Sequence, residues 1–135
     1  MPITSFEFLI PRRPVSVQAK KGFEQWKAFI KSEAQKVWSF GSPIKDTYLQ
    51  LTLVYLCSDD NPPDTDNIIK LIQDALIGLV YENDSLVLDV ESHRRFLSEP
   101  IDITNLPSLL QQGVITGKEC VYVKVSESQP LEKYL

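Results

Sequence analysis

The most restrictive feature of this sequence is a strand-like run that is followed, after a short acidic loop, by an almost entirely apolar helix pattern. The run covers residues 47–57, TYLQLTLVYLC, and is rich in aromatic and β-branched residues. The helix pattern covers residues 67–78, NIIKLIQDALIG, with Gly78 as its expected end. A helix that is apolar on most of its circumference must be buried. The two patterns together therefore predict a sheet with a helix packed on it.

The remaining patterns extend this arrangement along the chain. Strand-like alternation occurs at 3–10, 86–97 and 118–126, helical spacing at 19–40, and a weaker helical signal at 107–113. The expected order is β-α-β-α-β-(α)-β. Because long helices are few and the strands can pair locally, we expect an α+β fold with two main helices packed on a mixed or mainly antiparallel sheet. The tail from Glu127 is expected to fray.

Length and composition indicate one globular domain over residues 1–135. Hydrophobic residues make up 43% of the chain and charged residues 24%, which is typical of a folded protein rather than a disordered one. No apolar run is long enough for a membrane span, and the basic residues near the N-terminus follow the apolar part, the wrong order for a secretory signal. We therefore expect a cytoplasmic protein in which Cys57 and Cys120 are reduced and buried, although the two could instead pair.

Charge is distributed unevenly along the chain. Residues 1–45 hold eight Lys and Arg against three acids, and residues 46–135 hold six against fifteen, so the first part carries +5 and the second −9. A net charge of −4 argues against a simple nucleic-acid coat. A phosphate-bearing partner can bind the first part if a divalent cation neutralises the acids of the second.

Carboxylates cluster around the apolar helix. Asp64 and Asp66 stand just before it, with Asp66 as the expected N-cap, and Lys70 and Asp74 follow at steps of four on the same helix face. Asp84 comes in the turn YENDS. If the strand after this turn pairs near the strand that ends at Cys57, Asp84 returns to the neighbourhood of Asp64 and Asp66. Three such carboxylates form a hard-oxygen site of the kind that Mg²⁺ and Mn²⁺ prefer.

These residues also have structural interpretations. Asp64 and Asp66 can be ordinary cap and turn residues, and Lys70 with Asp74 can be a plain exposed ion pair. The loop lacks the ligand spacing of an EF-hand, and the chain has no phosphate-binding glycine loop. His93 is the single histidine, which excludes a metal site with two histidine ligands in one chain.

The ordered set Asp64-Thr-Asp66-Asn67-Ile-Ile-Lys70, followed by a DAL triplet, Gly78 and Asp84, resembles the RusA family of Holliday junction resolvases. The pattern covers residues 64–84, and the upstream PVSVQAKK is also similar to an early segment of that family. The resemblance implies a RusA-like fold and a homodimeric, Mg²⁺-dependent endodeoxyribonuclease, with Mn²⁺ as a substitute. Such an enzyme cuts four-way DNA junctions with paired nicks in DNA recombination and repair.

The resemblance also implies roles for individual residues. Asp64, Asp66 and Asp84 match the acidic residues that hold the metal, and they form the catalytic set together with Lys70. Asp74 and Asp89 match acids with an auxiliary role. The sequence departs from the family where an acidic pair is usual, since asparagine precedes Asp84 here.

Phosphate contacts supply most of the affinity in DNA binding, so an acidic chain needs a local basic surface. The residues expected to provide it are Arg12, Arg13, Lys20, Lys21, Arg94 and Arg95. Two alternatives stay open beside the resolvase. One is a non-catalytic DNA- or protein-binding module of the same fold, and the other is a nuclease for different branched DNA.

Overall fold

A computed structural model describes residues 5–14, 20–58 and 65–135, and the side chains of these residues except 20, 21 and 65–67. The described ranges form an α+β fold in the predicted order of elements. The strands are β1 (Ser5–Ile10), β2 (Leu49–Cys57), β3 (Val87–Phe96) and β4 (Cys120–Glu127). The helices are α1 (Lys20–Val37), α2 (Thr65–Leu76) and α3 (Ser108–Thr116), with short 3₁₀ helices at Asp84–Leu86 and Leu131–Lys133.

The four strands form one mixed sheet in the order β1-β4-β2-β3. β4 runs antiparallel to both β1 and β2, whereas β2 and β3 are parallel and are connected through α2. β1, β2 and β3 therefore run in the same direction. The last residues of these three strands and the first residue of β4 lie at the same end of the sheet, which we call the carboxyl end.

Both faces of the sheet are covered. Alternate residues of β2 point towards α1 and α2, because successive side chains of a strand lie on opposite faces. The core on this face is fully apolar or aromatic and includes Leu51, Leu53, Tyr55, Trp26, Ile30, Ile68, Ile72 and Leu76. A smaller cluster lies under α3 on the other face, and it consists of Leu56, Leu110, Cys120 and Tyr122.

The two cysteines lie in different clusters, Cys57 in the larger and Cys120 in the smaller. Both are free and buried, as the sequence predicts. Burial, with the nearby charge of Glu119, raises the pKa of the Cys120 thiol to about 11. This cysteine is therefore protonated and unreactive at neutral pH.

Two sequence expectations are corrected. Asp66 is not the N-cap of α2, because the helix begins at Thr65 and Asp66 lies in its first turn. The tail is not frayed: the Ser128 amide donates to the Tyr48 carbonyl (2.9 Å), and the Tyr134 hydroxyl donates to Gln50 Oε1 (2.5 Å). Hydrogen bonds to β2 and to the residue before it thus hold the tail in place. The spacing of apolar residues in the sequence cannot predict such hydrogen bonds. Within the described ranges, no helix is long and apolar enough to cross a membrane.

Candidate active site

Asp84 lies at the opposite end of the sheet from Ser58, the last described residue before the acidic segment. Val87 pairs with Leu49, and Phe96 pairs with Cys57. The strand after Asp84 does pair with β2, the condition stated from the sequence, but the pairing leaves Asp84 at the other end of β2 from Cys57. The two ends of β2 are about 26 Å apart at 3.3 Å per residue. Because β2 and β3 are parallel, Asp84 stands beside the first residues of β2, and the loop leaves after the last.

α2 runs back along most of this distance and carries Lys70 and Asp74 on the predicted helix face, which we call its polar ridge. Its twelve residues span about 18 Å, and Asp66 and Asp74 are about 12 Å apart along the axis. Lys70 Nζ lies 3.3 Å from Asp74 Oδ1, with the lysine side chain 71% and the aspartate 28% exposed. The exposed Lys70–Asp74 ion pair, considered above as the structural explanation of these two residues, is therefore present. An exposed pair of this kind contributes only a few tenths of a kcal/mol, so it does not account for the identity of Lys70.

Tyr81 connects α2 with Asp84. The chain reverses after α2 at Gly78, whose φ of +84° favours glycine, and the Gly78 amide donates to the Tyr81 carbonyl (2.7 Å). The buried Tyr81 hydroxyl donates to the Gln73 carbonyl (2.7 Å) near the end of α2. Burial raises the pKa of this hydroxyl above its usual value, and the charges of Asp84 and Asp74 raise it further. The hydroxyl therefore stays protonated as a donor, with both carboxylates near it.

Replacing Tyr81 by phenylalanine tests this connection. The Gln73 carbonyl loses its donor, so we expect the free energy of unfolding to fall by about 1 kcal/mol. Chemical denaturation of both proteins measures the difference. Tyr48→Phe is the control, because Tyr48 is 59% exposed. A Tyr81→Phe protein as stable as the wild type would show that the hydrogen bond contributes nothing.

Asn83, the departure from the family pattern, has a local role. Its side chain accepts a hydrogen bond from the Ser85 amide (2.9 Å) and caps the 3₁₀ helix that begins at Asp84. Aspartate and asparagine cap helices about equally well. The change from an acid to an amide at this position therefore preserves the local backbone and leaves the Asp84 carboxylate in place.

The described residues fit a metal site only in part. Asp74 and Asp84 offer carboxylate oxygens near Tyr81, and these are ligands that Mg²⁺ accepts. Among the described residues, no three His, Cys, Asp or Glu side chains come together as ligands. Asp64 and the side chain of Asp66 lie outside the described part of the chain. The set of Asp64, Asp66 and Asp84 thus stays a prediction. Asp74, the ion-pair partner of Lys70, is the predicted site residue whose charge acts on the Tyr81 hydroxyl together with that of Asp84.

The predicted basic residues after β1 are engaged in contacts within the protein. Arg12 stacks on the Phe29 ring of α1, with its guanidinium carbon 3.9 Å from the ring centroid. Arg13 donates from Nη1 to Glu119 Oε1 at 3.0 Å. Lys20 begins α1, but the side chains of Lys20 and Lys21 lie outside the described part.

The predicted basic residues of β3 lie on its two faces, since they are consecutive in a strand. Arg94 approaches the Phe96 ring at 6.0 Å, and Arg95 lines a pocket of about 360 Å³ under α3. His93 is exposed on the same face as Arg95, at 3.5 Å from Glu91. Arg94 and Arg95 therefore do not belong to a single array, although the four described arginines lie near the carboxyl end.

Asp89, the second auxiliary acid, accepts a hydrogen bond from the Ser128 hydroxyl at 2.5 Å. This contact binds the tail to β3 and provides a structural role for Asp89. The sequence did not indicate Tyr81 or Glu119. Tyr81 follows the turn after α2, and its one signal was a large aromatic side chain directly before polar residues. Glu119 is a single acid before a strand.

Comparison with protein-family models gives one match. The model described as Endodeoxyribonuclease RusA matches residues 12–104 of the 135-residue chain. The chain belongs to the RusA family. The RusA resemblance inferred from residues 64–84 is thereby confirmed over a much longer range, which includes the predicted metal, catalytic and DNA-binding residues. Membership of the RusA family implies, in general terms, a nuclease of the Holliday junction resolvase class. No curated protein matches the chain.

Proposed function

We propose that this RusA-family chain is a Mg²⁺-dependent endodeoxyribonuclease that resolves four-way DNA junctions by paired phosphodiester hydrolysis, in recombination and repair. The family match carries the proposal, because it includes Asp64, Asp66, Lys70 and Asp84 in the expected order. The Lys70–Asp74 ion pair and the charges of Asp74 and Asp84 at the Tyr81 hydroxyl support it.

In this proposal Asp64, Asp66 and Asp84 hold the metal. When bound, Mg²⁺ supplies charge neutralisation at the phosphate and a water of lowered pKa, and Mn²⁺ can replace it. Lys70 donates to a phosphate oxygen and offsets the negative charge that builds there. Asp74 keeps the Lys70 ammonium on the polar ridge of α2 until DNA arrives, since the pair is exposed and exchanges its partner at little cost.

A panel of DNA substrates tests the reaction. The wild-type protein is incubated with Mg²⁺ and a four-way junction, a flap, a three-way junction or a linear duplex, and the nicks are mapped on each strand. We expect symmetric paired nicks in the four-way junction. Equal cutting of the other branched molecules would instead assign a nuclease for branched DNA in general, and no cutting of any would contradict the proposed reaction.

The non-catalytic binding module remains a second candidate. The net charge of −4 and the internal contacts of Arg12 and Arg13 favour it, because these arginines then contribute less to phosphate binding. A junction shift assay in Ca²⁺ separates the two functions when it is combined with the cleavage assay. Junction binding in Ca²⁺ without nicking in Mg²⁺ or Mn²⁺ would favour the module.

The proposed enzyme acts as a homodimer. β3 is an edge strand, and its Leu88 and Val90 side chains are 57% and 42% exposed. A second copy that covers this strip removes apolar surface from water, and it supplies a second active site for the opposed DNA strand. Light scattering during size-exclusion chromatography is expected to give twice the monomer mass. A monomer at micromolar concentration would contradict this part of the proposal.

A further inference from the structure

Glu119 connects the two chain segments that leave the carboxyl ends of β1 and β2. It stands directly before β4, whose first residues pair with Leu56 and Tyr55 of β2. Its Oε1 accepts from Arg13 Nη1 at 3.0 Å and from Ser58 Oγ at 2.5 Å. Its Oε2 accepts from the Tyr55 hydroxyl at 2.7 Å. One carboxylate therefore uses both oxygens on three partners.

The environment favours an ionised Glu119. Its side chain is only 11% exposed, and burial by itself raises the pKa of the carboxyl. The hydrogen bonds from Ser58 and Tyr55 and the charge of Arg13 outweigh burial and leave the pKa below its usual value. The carboxylate is therefore charged at neutral pH and accepts from all three donors. The hydrogen bond to Glu119 also engages Arg13, which was expected to bind DNA.

The partners define what this network holds. Ser58 is the last described residue before residues 59–64, which include Asp64 and are followed closely by Asp66. Arg13 stands shortly before residues 15–19, which lead to Lys20 at the beginning of α1. Tyr55 anchors both to the buried centre of the sheet. No other described carboxylate has hydrogen bonds to both of these connections.

We propose that Glu119 is a positioning residue, which sets where the acidic loop leaves β2 and thereby brings its aspartates to the metal. This inference rests on the proposed function. Glu119 contacts neither substrate nor metal in it and acts through Ser58. Groups that hydrogen-bond to metal ligands change metal affinity without being ligands, and Glu119 acts one step further out, on the segment that carries them.

Titration with Mn²⁺ alone tests the inference, since it measures metal binding without cleavage. The isosteric variant Glu119→Gln loses the charge and replaces one acceptor oxygen with a donor. We expect its Mn²⁺ dissociation constant to rise about fivefold, the equivalent of one lost hydrogen bond. Thermal unfolding of each protein shows whether the variant is folded at the temperature of the titration.

The matched control is Glu7→Gln. Glu7 also accepts from a buried tyrosine hydroxyl, that of Tyr122, but it lies within β1 and contacts neither connection. Glu7→Gln is expected to lower the unfolding temperature while leaving Mn²⁺ affinity within about twofold of the wild type. Ser58→Ala removes one donor to Glu119 with little risk to folding, and we expect it to weaken Mn²⁺ binding in the same direction by a smaller factor.

The outcomes separate the inference from the proposed function. Wild-type Mn²⁺ binding with unchanged affinity in Glu119→Gln and Ser58→Ala would overturn the positioning role alone. Equal weakening by Glu119→Gln and Glu7→Gln would assign Glu119 to general stability and also overturn it. If the wild type binds no Mn²⁺, the metal centre of the proposed function fails, and the positioning role fails with it.

Discussion

Asp66→Asn is expected to lower Mg²⁺-dependent cleavage of a four-way junction at least about 100-fold. The proposed metal contributes several kcal/mol of transition-state stabilisation, and about 1.4 kcal/mol corresponds to a factor of ten in rate. The fold should survive, because asparagine has nearly the same shape and position 66 lies in the first turn of α2. The lost interaction of a negative charge with the helix N-terminus costs only about 0.3–1 kcal/mol.

The control for Asp66→Asn is Asp46→Asn, a change of the same chemistry at an exposed aspartate before β2. Cleavage rates of the three proteins are compared at one Mg²⁺ concentration, after circular dichroism has shown that each is folded. Asp46→Asn should cleave at the wild-type rate. Equal rates for Asp66→Asn and the wild type would exclude Asp66 from the catalytic set and leave it as a helix residue.

Lys70→Ala is expected to separate a catalytic role from a structural one. We expect cleavage to fall about 100-fold, because the ammonium no longer offsets charge on the phosphate. The free energy of unfolding should change by less than about 0.5 kcal/mol, since the Lys70–Asp74 pair is exposed. A large loss of rate with almost no loss of stability is the signature of a residue that acts on the substrate.

The chain offers a closely matched control for Lys70→Ala. Lys36 lies on α1, is 69% exposed and pairs with Glu33 three residues earlier, whereas Lys70 is 71% exposed and pairs four residues later. Lys36→Ala should leave the cleavage rate within about twofold of the wild type, although it should lower stability more than Lys70→Ala does, because it leaves the Glu33 carboxylate, whose side chain is 12% exposed, without its partner. Equal effects of both variants on cleavage would show that Lys70 is an ordinary surface residue in an ion pair and has no catalytic role.

The elements of this fold were predictable because each has a strong local pattern. β2 was visible from its aromatic and β-branched residues, and α2 from apolar side chains that leave a single polar ridge. Gly78 marked the end of α2 because the turn there needs a positive φ. These properties depend on residues within one turn or one strand of each other, which a sequence displays directly.

The arrangement of the site was less predictable, because it depends on strand direction and long-range contacts. No local pattern shows that β3 runs parallel to β2, and this direction decides that Asp84 stands beside Leu49. The contact between Glu119 and Arg13 spans 106 positions. No pattern near either residue in the sequence predicts this contact. The family pattern supplied the order of the acids, and it contained no information on how far apart the fold places them.

In the proposed function Asp64, Asp66 and Asp84 share one divalent cation, so the cation must join carboxylates from the two ends of α2, along which Asp66 and Asp74 are about 12 Å apart. Titration of Mn²⁺ into the wild type and into Asp64→Asn, Asp66→Asn and Asp84→Asn tests it most directly. We predict one strong site in the wild-type chain and affinity at least about tenfold weaker in each variant. An affinity unchanged by Asp64→Asn or by Asp84→Asn would contradict a shared metal centre.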